Sequence, residues 1–293
     1  MEEKVFGPVR FIPGLNRGKY PYCHSIYIES AKILIDPASD RERLKRLRDE
    51  EGVEQVWLSH WHEDHFMDLD LFEDRPLGIH PLDAPPLAGV ESFLDAYNIQ
   101  ETAFRDSWRD IVTDMFHFRP RQPRIALESG TRQLGDLTVE IIHTPGHTPG
   151  HLCFFFPESG VLFLGDYDLT AFGPWYGDRD SSISDTIASV RNLEKIPART
   201  WLTCHENGVF ETQPGHLWGD YLEVIEKREK RLLEFLSEPR SREEIINAWL
   251  VYLKEREPAD FYRFAEWAIN RKHLEGLLKN DRVVFENDLY KAI

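Results

Sequence analysis

The chain has 293 residues, 41% of them hydrophobic, enough for one large domain or a domain with a small appendage. With 35 basic and 51 acidic residues the net charge is −16, so a phosphate backbone is repelled in bulk and a nucleic-acid partner needs a local basic patch. Three cysteines, an acidic start (MEEKVFGPVRF) without an apolar core, and no run near ~18 apolar residues predict a reducing, cytoplasmic setting without disulfides or a membrane span.

In chain order, SIYIES and KILID read as a strand pair with a tight turn at Ala31-Lys32. A charged helical stretch, Arg41 to Glu51, precedes a third strand, VEQVWLS. Residues 91–118 differ: Phe104, Trp108, Ile111 and Met115 recur at helical spacing, predicting an aromatic-rich helical insertion of about 91–124 that borders the site. Arginines 105, 109, 119, 121 and 124 cluster around it and are the candidate anion-binding groups. LTVEIIH, HLCFFF and VLFLGD follow as strands, then a helix from about Ile183 to Leu193 with Ser and Asp ahead of it as caps, and a short strand, TWLTC. This alternation predicts an α/β domain over residues 1–216. From Leu217 the pattern turns helical, in YLEVIEKREKRLLEFL, SREEIINAWLVYLK and FYRFAEWAINRKHLEGLLKN. Two short strands around Glu286-Asn287-Asp288 close the chain, so 217–293 has winged-helix order.

Metal-type residues gather where strands end. SHWHEDHF places His60, His62, Asp64 and His65 within six positions after Val56-Trp57-Leu58. If the strand stops near Leu58, His60 and His62 point the same way in extended chain, with Asp64 and His65 opening the next helix. That spacing is not the helical zinc-protease pattern and suits two adjacent ions. HTPGHTPGH, His143 to His151, is a loop whose prolines exclude a regular helix. Asp166 follows LFLG and His205 follows LTC.

These residues, in this order, resemble the metallo-β-lactamase superfamily of metallohydrolases over roughly residues 20–210. HxHxDH matches at 60–65, TPGHTPGH at His147, Gly-Asp at Asp166 and the strand-end histidine at His205; ILIDPASD with Asp36 resembles an early family strand. The resemblance implies an αββα sandwich with the helical insertion and the winged-helix-like element added. It implies that His60, His62 and His147 hold one metal, that Asp64, His65 and His205 hold a second, and that Asp166 bridges them. Two divalent ions are expected, zinc by ligand type, with iron and manganese compatible. A metal-bridging hydroxide would be the nucleophile, with Asp64 as the catalytic residue that orients it. Asp36, His143 and His151 are expected in supporting roles, and His24 lies near the site's edge. HLEGLLKNDRV resembles the appended element of the β-lactamase-like-2 branch, and IDPA the glyoxalase II branch.

The expected function is hydrolysis of a small ester, thioester or lactone. A metal-dependent endoribonuclease of the same superfamily, a mono-iron persulfide dioxygenase, and a winged-helix regulator reading DNA through Arg271, Lys272 and Lys279 are the alternatives. A small-molecule substrate, no membrane partner, and compatibility with a homo-oligomer complete the expectation.

Overall fold

The computed structural model describes residues 1–293. Its organisation follows from period-two alternation in strands that are apolar on both faces. In Leu152–Phe156 all five residues are buried. Leu152, Phe154 and Phe156 face a core of 45 buried residues, while Cys153 and Phe155 face a second core of 11. Val161 and Phe163 against Leu162 divide in the same way. A strand buried on both faces belongs to a covered sheet.

Two sheets share the larger core. The seven-stranded sheet runs Lys4–Phe6, Val9–Ile12, Ser25–Ile28, Ile33–Ile35, Gln55–Trp57, Leu77–Ile79, Ile125–Ala126. Its first four strands are antiparallel neighbours and the rest pair in parallel. The six-stranded sheet runs Val209–Phe210, Thr200–Leu202, Val161–Phe163, Leu152–Phe156, Leu137–His143, Gly130–Leu134. Helix Ile183–Leu193 and helix Leu217–Phe235 cover its outer face through Val190, Leu193, Trp218 and Tyr221. The result is the αββα sandwich. Ser182 caps the first of these helices, accepting from Asp185 N–H. No helix is long and apolar enough to cross a membrane.

The insertion forms helices Val90–Ala96 and Thr102–Asp114. Trp108 and Val112 are buried, but Met115, expected on the same face, is 46% exposed because the helix ends before it. In the C-terminal region helices Leu217–Phe235, Arg242–Asn247 and Ala259–Lys279 precede a hairpin, Val283–Glu286 with Leu289–Ala292. The middle helix is shorter than SREEIINAWLVYLK suggests. The buried Glu266 carboxylate accepts Val251 N–H (2.8 Å) and Tyr252 N–H (3.1 Å), drawing those donors away from a helical ladder.

Candidate metal centre

Four strand ends deliver the site. Gln55–Trp57 leads into the 60–65 segment, where His62 is still extended and Glu63–Phe66 is a single helical turn. Leu137–His143 leads into the 144–151 loop, Val161–Phe163 into Asp166, and Thr200–Leu202 into His205. The loop sits tightly on helix Ile183–Leu193: Gly146 has φ +131°, and a Cβ there would lie 2.2 Å from Thr186 N.

His60 Nε2, His62 Nδ1 and His147 Nε2 converge at 3.0–3.1 Å from one another. The outer nitrogens decide what the inner ones carry. His62 Nε2 meets the Asp178 carboxylate at 2.8 Å and His147 Nδ1 meets Trp175 O at 3.1 Å, so both outer positions hold the ring proton. Ser59 Oγ donates to Asp36 Oδ2 (2.7 Å) and must therefore accept from His60 Nδ1 (3.0 Å). With their outer nitrogens so tethered, the three rings turn their inner nitrogens on one point, an arrangement that suits a cation. Ligand atoms around a tetrahedral ion at about 2.0–2.1 Å lie about 3.3 Å apart, close to the spacing here.

A second point is built alike. His65 donates from Nδ1 to Asp36 Oδ2 (3.1 Å), and His205 from Nδ1 to Gly18 O (2.6 Å). Their Nε2 atoms face Asp166 Oδ1 at 2.9 and 3.2 Å, with Asp64 3.8 and 3.5 Å away. His65 Nε2 and Asp166 Oδ1, although close, make no well-aligned hydrogen bond and are orphaned polar atoms. The other Asp166 oxygen, Oδ2, lies 3.3 Å from His147 Nε2 and 3.9 Å from His60 Nε2. One carboxylate therefore addresses both points. The donor set and its orphaned atoms fit two divalent cations.

Electrostatics agree. Burial keeps His60 and His147 neutral, the latter lowered to about 4, whereas Asp178 outweighs burial at His62 and raises it to about 9, so without a metal that ring carries the positive charge of the first point. Burial also opposes charge on His205, and Asp166 raises it to about 10. The carboxylates demand positive charge at both points.

The seven expected ligands all converge. Asp36, with φ +53°, holds Ser59, His65 and Cys204 together. His151 and His143 stay outside the cluster: His151 Nε2 accepts Asp166 N–H (3.2 Å), and His143 bonds Pro149 O and stacks on His80. His24 accepts Gly14 N–H at 2.8 Å and packs against Gly18, the residue whose carbonyl holds His205. Sequence reasoning missed Asp178, Trp175, Gly18 and Tyr97. Tyr97 donates to the buried Glu63 (2.5 Å) and stacks on His62, so the insertion does border the site. Four of the five clustered arginines are already engaged. Arg105 and Arg109 pair with Glu91, Asp95 and Asp106, and Arg119 and Arg121 donate to backbone carbonyls.

A twin-point histidine and aspartate centre at the strand ends of an αββα sandwich defines a metallohydrolase-type scaffold. A profile described as the metallo-beta-lactamase superfamily matches residues 19–205, and the chain belongs to that superfamily. A metallo-beta-lactamase family protein from Thermus thermophilus has the same fold, with TM-score 0.74 and 22% identity over 98% of this chain and 99% of that one. A hydroxyacylglutathione hydrolase of Rhodospirillum rubrum is 36% identical over 92 residues, 31% of this chain and 35% of its own length. A probable polyketide biosynthesis zinc-dependent hydrolase, BaeB, of Bacillus velezensis is 27% identical over 205 residues, 68% of this chain and 74% of that protein. The chain thus spans about a third of the length of the Rhodospirillum relative.

Proposed function

We propose that the protein is a dinuclear metal-dependent hydrolase of small esters, thioesters or lactones. The observation that carries this is the outward tethering of five ring N–H groups, which turns five inner ring nitrogens on two points spanned by Asp166. His60, His62 and His147 would hold one ion, Asp64, His65 and His205 the other, and Asp166 both. Zinc suits these ligands, and the BaeB relative is named zinc-dependent. When bound, two such ions supply Lewis acidity and a water that ionises near neutral pH.

The chain's own part is positional. Asp64, its side chain 9% exposed, lies beside His65 and His205 where it can orient a water and accept its proton. Asp36 and Asp178 keep three rings in the tautomer that leaves their inner nitrogens free. Convergence of the second group supports the dinuclear reading over a mono-iron one. Occupation of the arginine cluster by acids and carbonyls supports a small substrate over a polyanion.

The test is a panel of esters, thioesters, lactones, a phosphodiester and a short RNA, run on protein loaded with zinc, manganese or iron. Turnover of an acyl substrate that depends on Asp166 is expected. RNA cleavage that falls steeply with salt, with no acyl hydrolysis, would replace this reading by the nuclease one.

A further inference from the structure

A string of aromatic rings runs outside the metal centre. Tyr20 stacks on Phe261 (centroids 5.5 Å apart), Phe261 meets Tyr262 (5.2 Å), Tyr262 meets Tyr252 (5.0 Å), and Tyr252 meets Phe172 (5.2 Å). Both ends rest on segments that hold histidines. Tyr20 lies two residues past Gly18, whose carbonyl fixes His205, and its hydroxyl donates to Glu63 at 2.8 Å, beside Asp64. Phe172 lies three residues before Trp175, whose carbonyl fixes His147. The string therefore joins the segment that holds His205 and meets Glu63 to the segment that holds His147.

Phe261 and Tyr252 rest one side on core clusters, yet every ring of the string keeps an exposed part. Tyr20 is 43% exposed and Phe172 39%, and the middle three are half-buried. Contiguous half-exposed rings beside a reactive centre are a site for apolar matter. Arg256 lies over Tyr252 and Tyr262, at 5.6 and 5.8 Å from their centroids, with no carboxylate within salt-bridge distance, and braces the string from outside. Tyr252, Phe261 and Tyr262 belong to the C-terminal region, beyond the 19–205 span matched to the superfamily.

We propose that this string is the substrate-selecting rim of the centre, and that the substrate is an ester or thioester bearing a bulky apolar group rather than a short polar one. The proposal rests on the hydrolase reading, and it gives the C-terminal region a role in specificity.

The experiment compares zinc-loaded wild type with Tyr262→Ala and Tyr262→Phe on octanoyl and acetyl thioesters of one small thiol, and on benzyl and methyl esters of one acid. Wild type should favour the larger member of at least one pair. Tyr262→Ala should lower that preference roughly tenfold, chiefly through KM, because one lost patch of apolar contact has about that effect. Tyr262→Phe should keep the preference, since the ring and not the hydroxyl makes the contact. Equal preferences in all three proteins would overturn the proposal. If wild type hydrolyses none of these substrates, the ester and thioester part of the hydrolase reading fails by itself. Calorimetry with octanoate then decides the rim: binding about tenfold weaker in Tyr262→Ala supports it, and equal binding overturns it.

Discussion

Replacing Asp178 by Asn tests the tautomer argument at one bond. Asp178 is 1% exposed, and its two oxygens each accept one N–H: His62 Nε2 at 2.8 Å and Trp175 Nε1 at 2.9 Å. An amide has only one acceptor. If it keeps the Trp175 bond, its NH2 faces His62. The ring must then accept at Nε2 and carry its proton on Nδ1, the nitrogen that points at His60 and His147. Loss of such an orienting partner typically weakens metal binding about 10–100-fold, or about 1.4–2.7 kcal/mol. Asp178→Ala removes the acceptor but imposes no tautomer, so Asn should weaken binding at least as much as Ala. Zinc competition against a chromophoric chelator reads the affinity, and melting of the metal-free variants checks that the fold is intact. Affinity in Asp178→Asn within about twofold of wild type would refute the reasoning.

Metal removal should destabilise the fold: at about 100 times Kd, each bound ion contributes about 2.7 kcal/mol, so for this chain length a chelator should lower Tm by about 4 °C per ion removed, read by scanning calorimetry. Gly146→Ala should lose stability and zinc affinity together, because its Cβ would meet Thr186 N at 2.2 Å and displace the loop bearing His147; a variant that melts and binds like wild type would contradict the loop geometry. His24→Ala should weaken the ion held by Asp64, His65 and His205 more than the other, since it frees the Gly14–Gly18 turn that holds His205. Stepwise cobalt(II) titration followed by absorbance separates the two, and parallel weakening would show His24 to be merely structural.

The inward-facing residues were legible because their spacing encodes them. HxHxDH lies in one segment and Asp166 and His205 each follow a buried strand, and the family resemblance joined these with His147 into the seven residues that converge here. The residues that orient them were not legible. Asp178 lies 116 positions from His62, and Gly18 lies 187 from His205, with no spacing signal to join them. Asp36 was the exception, because it too ends a strand. The insertion's helical character followed from periodicity, but Tyr97's contact with Glu63 depends on tertiary packing. The surroundings of the arginines were hidden for a similar reason: sequence displays the guanidiniums but not Glu91, Asp95 and Asp106 folded against Arg105 and Arg109. The shortened helix after Ser241 reflects Glu266, a carboxylate 15 residues from Val251 that competes for backbone donors.

The most direct test of the dinuclear centre is the metal content of the purified protein, measured by elemental analysis beside Asp166→Ala. The account predicts two divalent ions per chain in wild type and a loss at both positions in the variant, because one carboxylate faces both histidine groups. A single tightly bound ion in wild type, with occupancy unaffected by His65→Ala or His205→Ala, would contradict it.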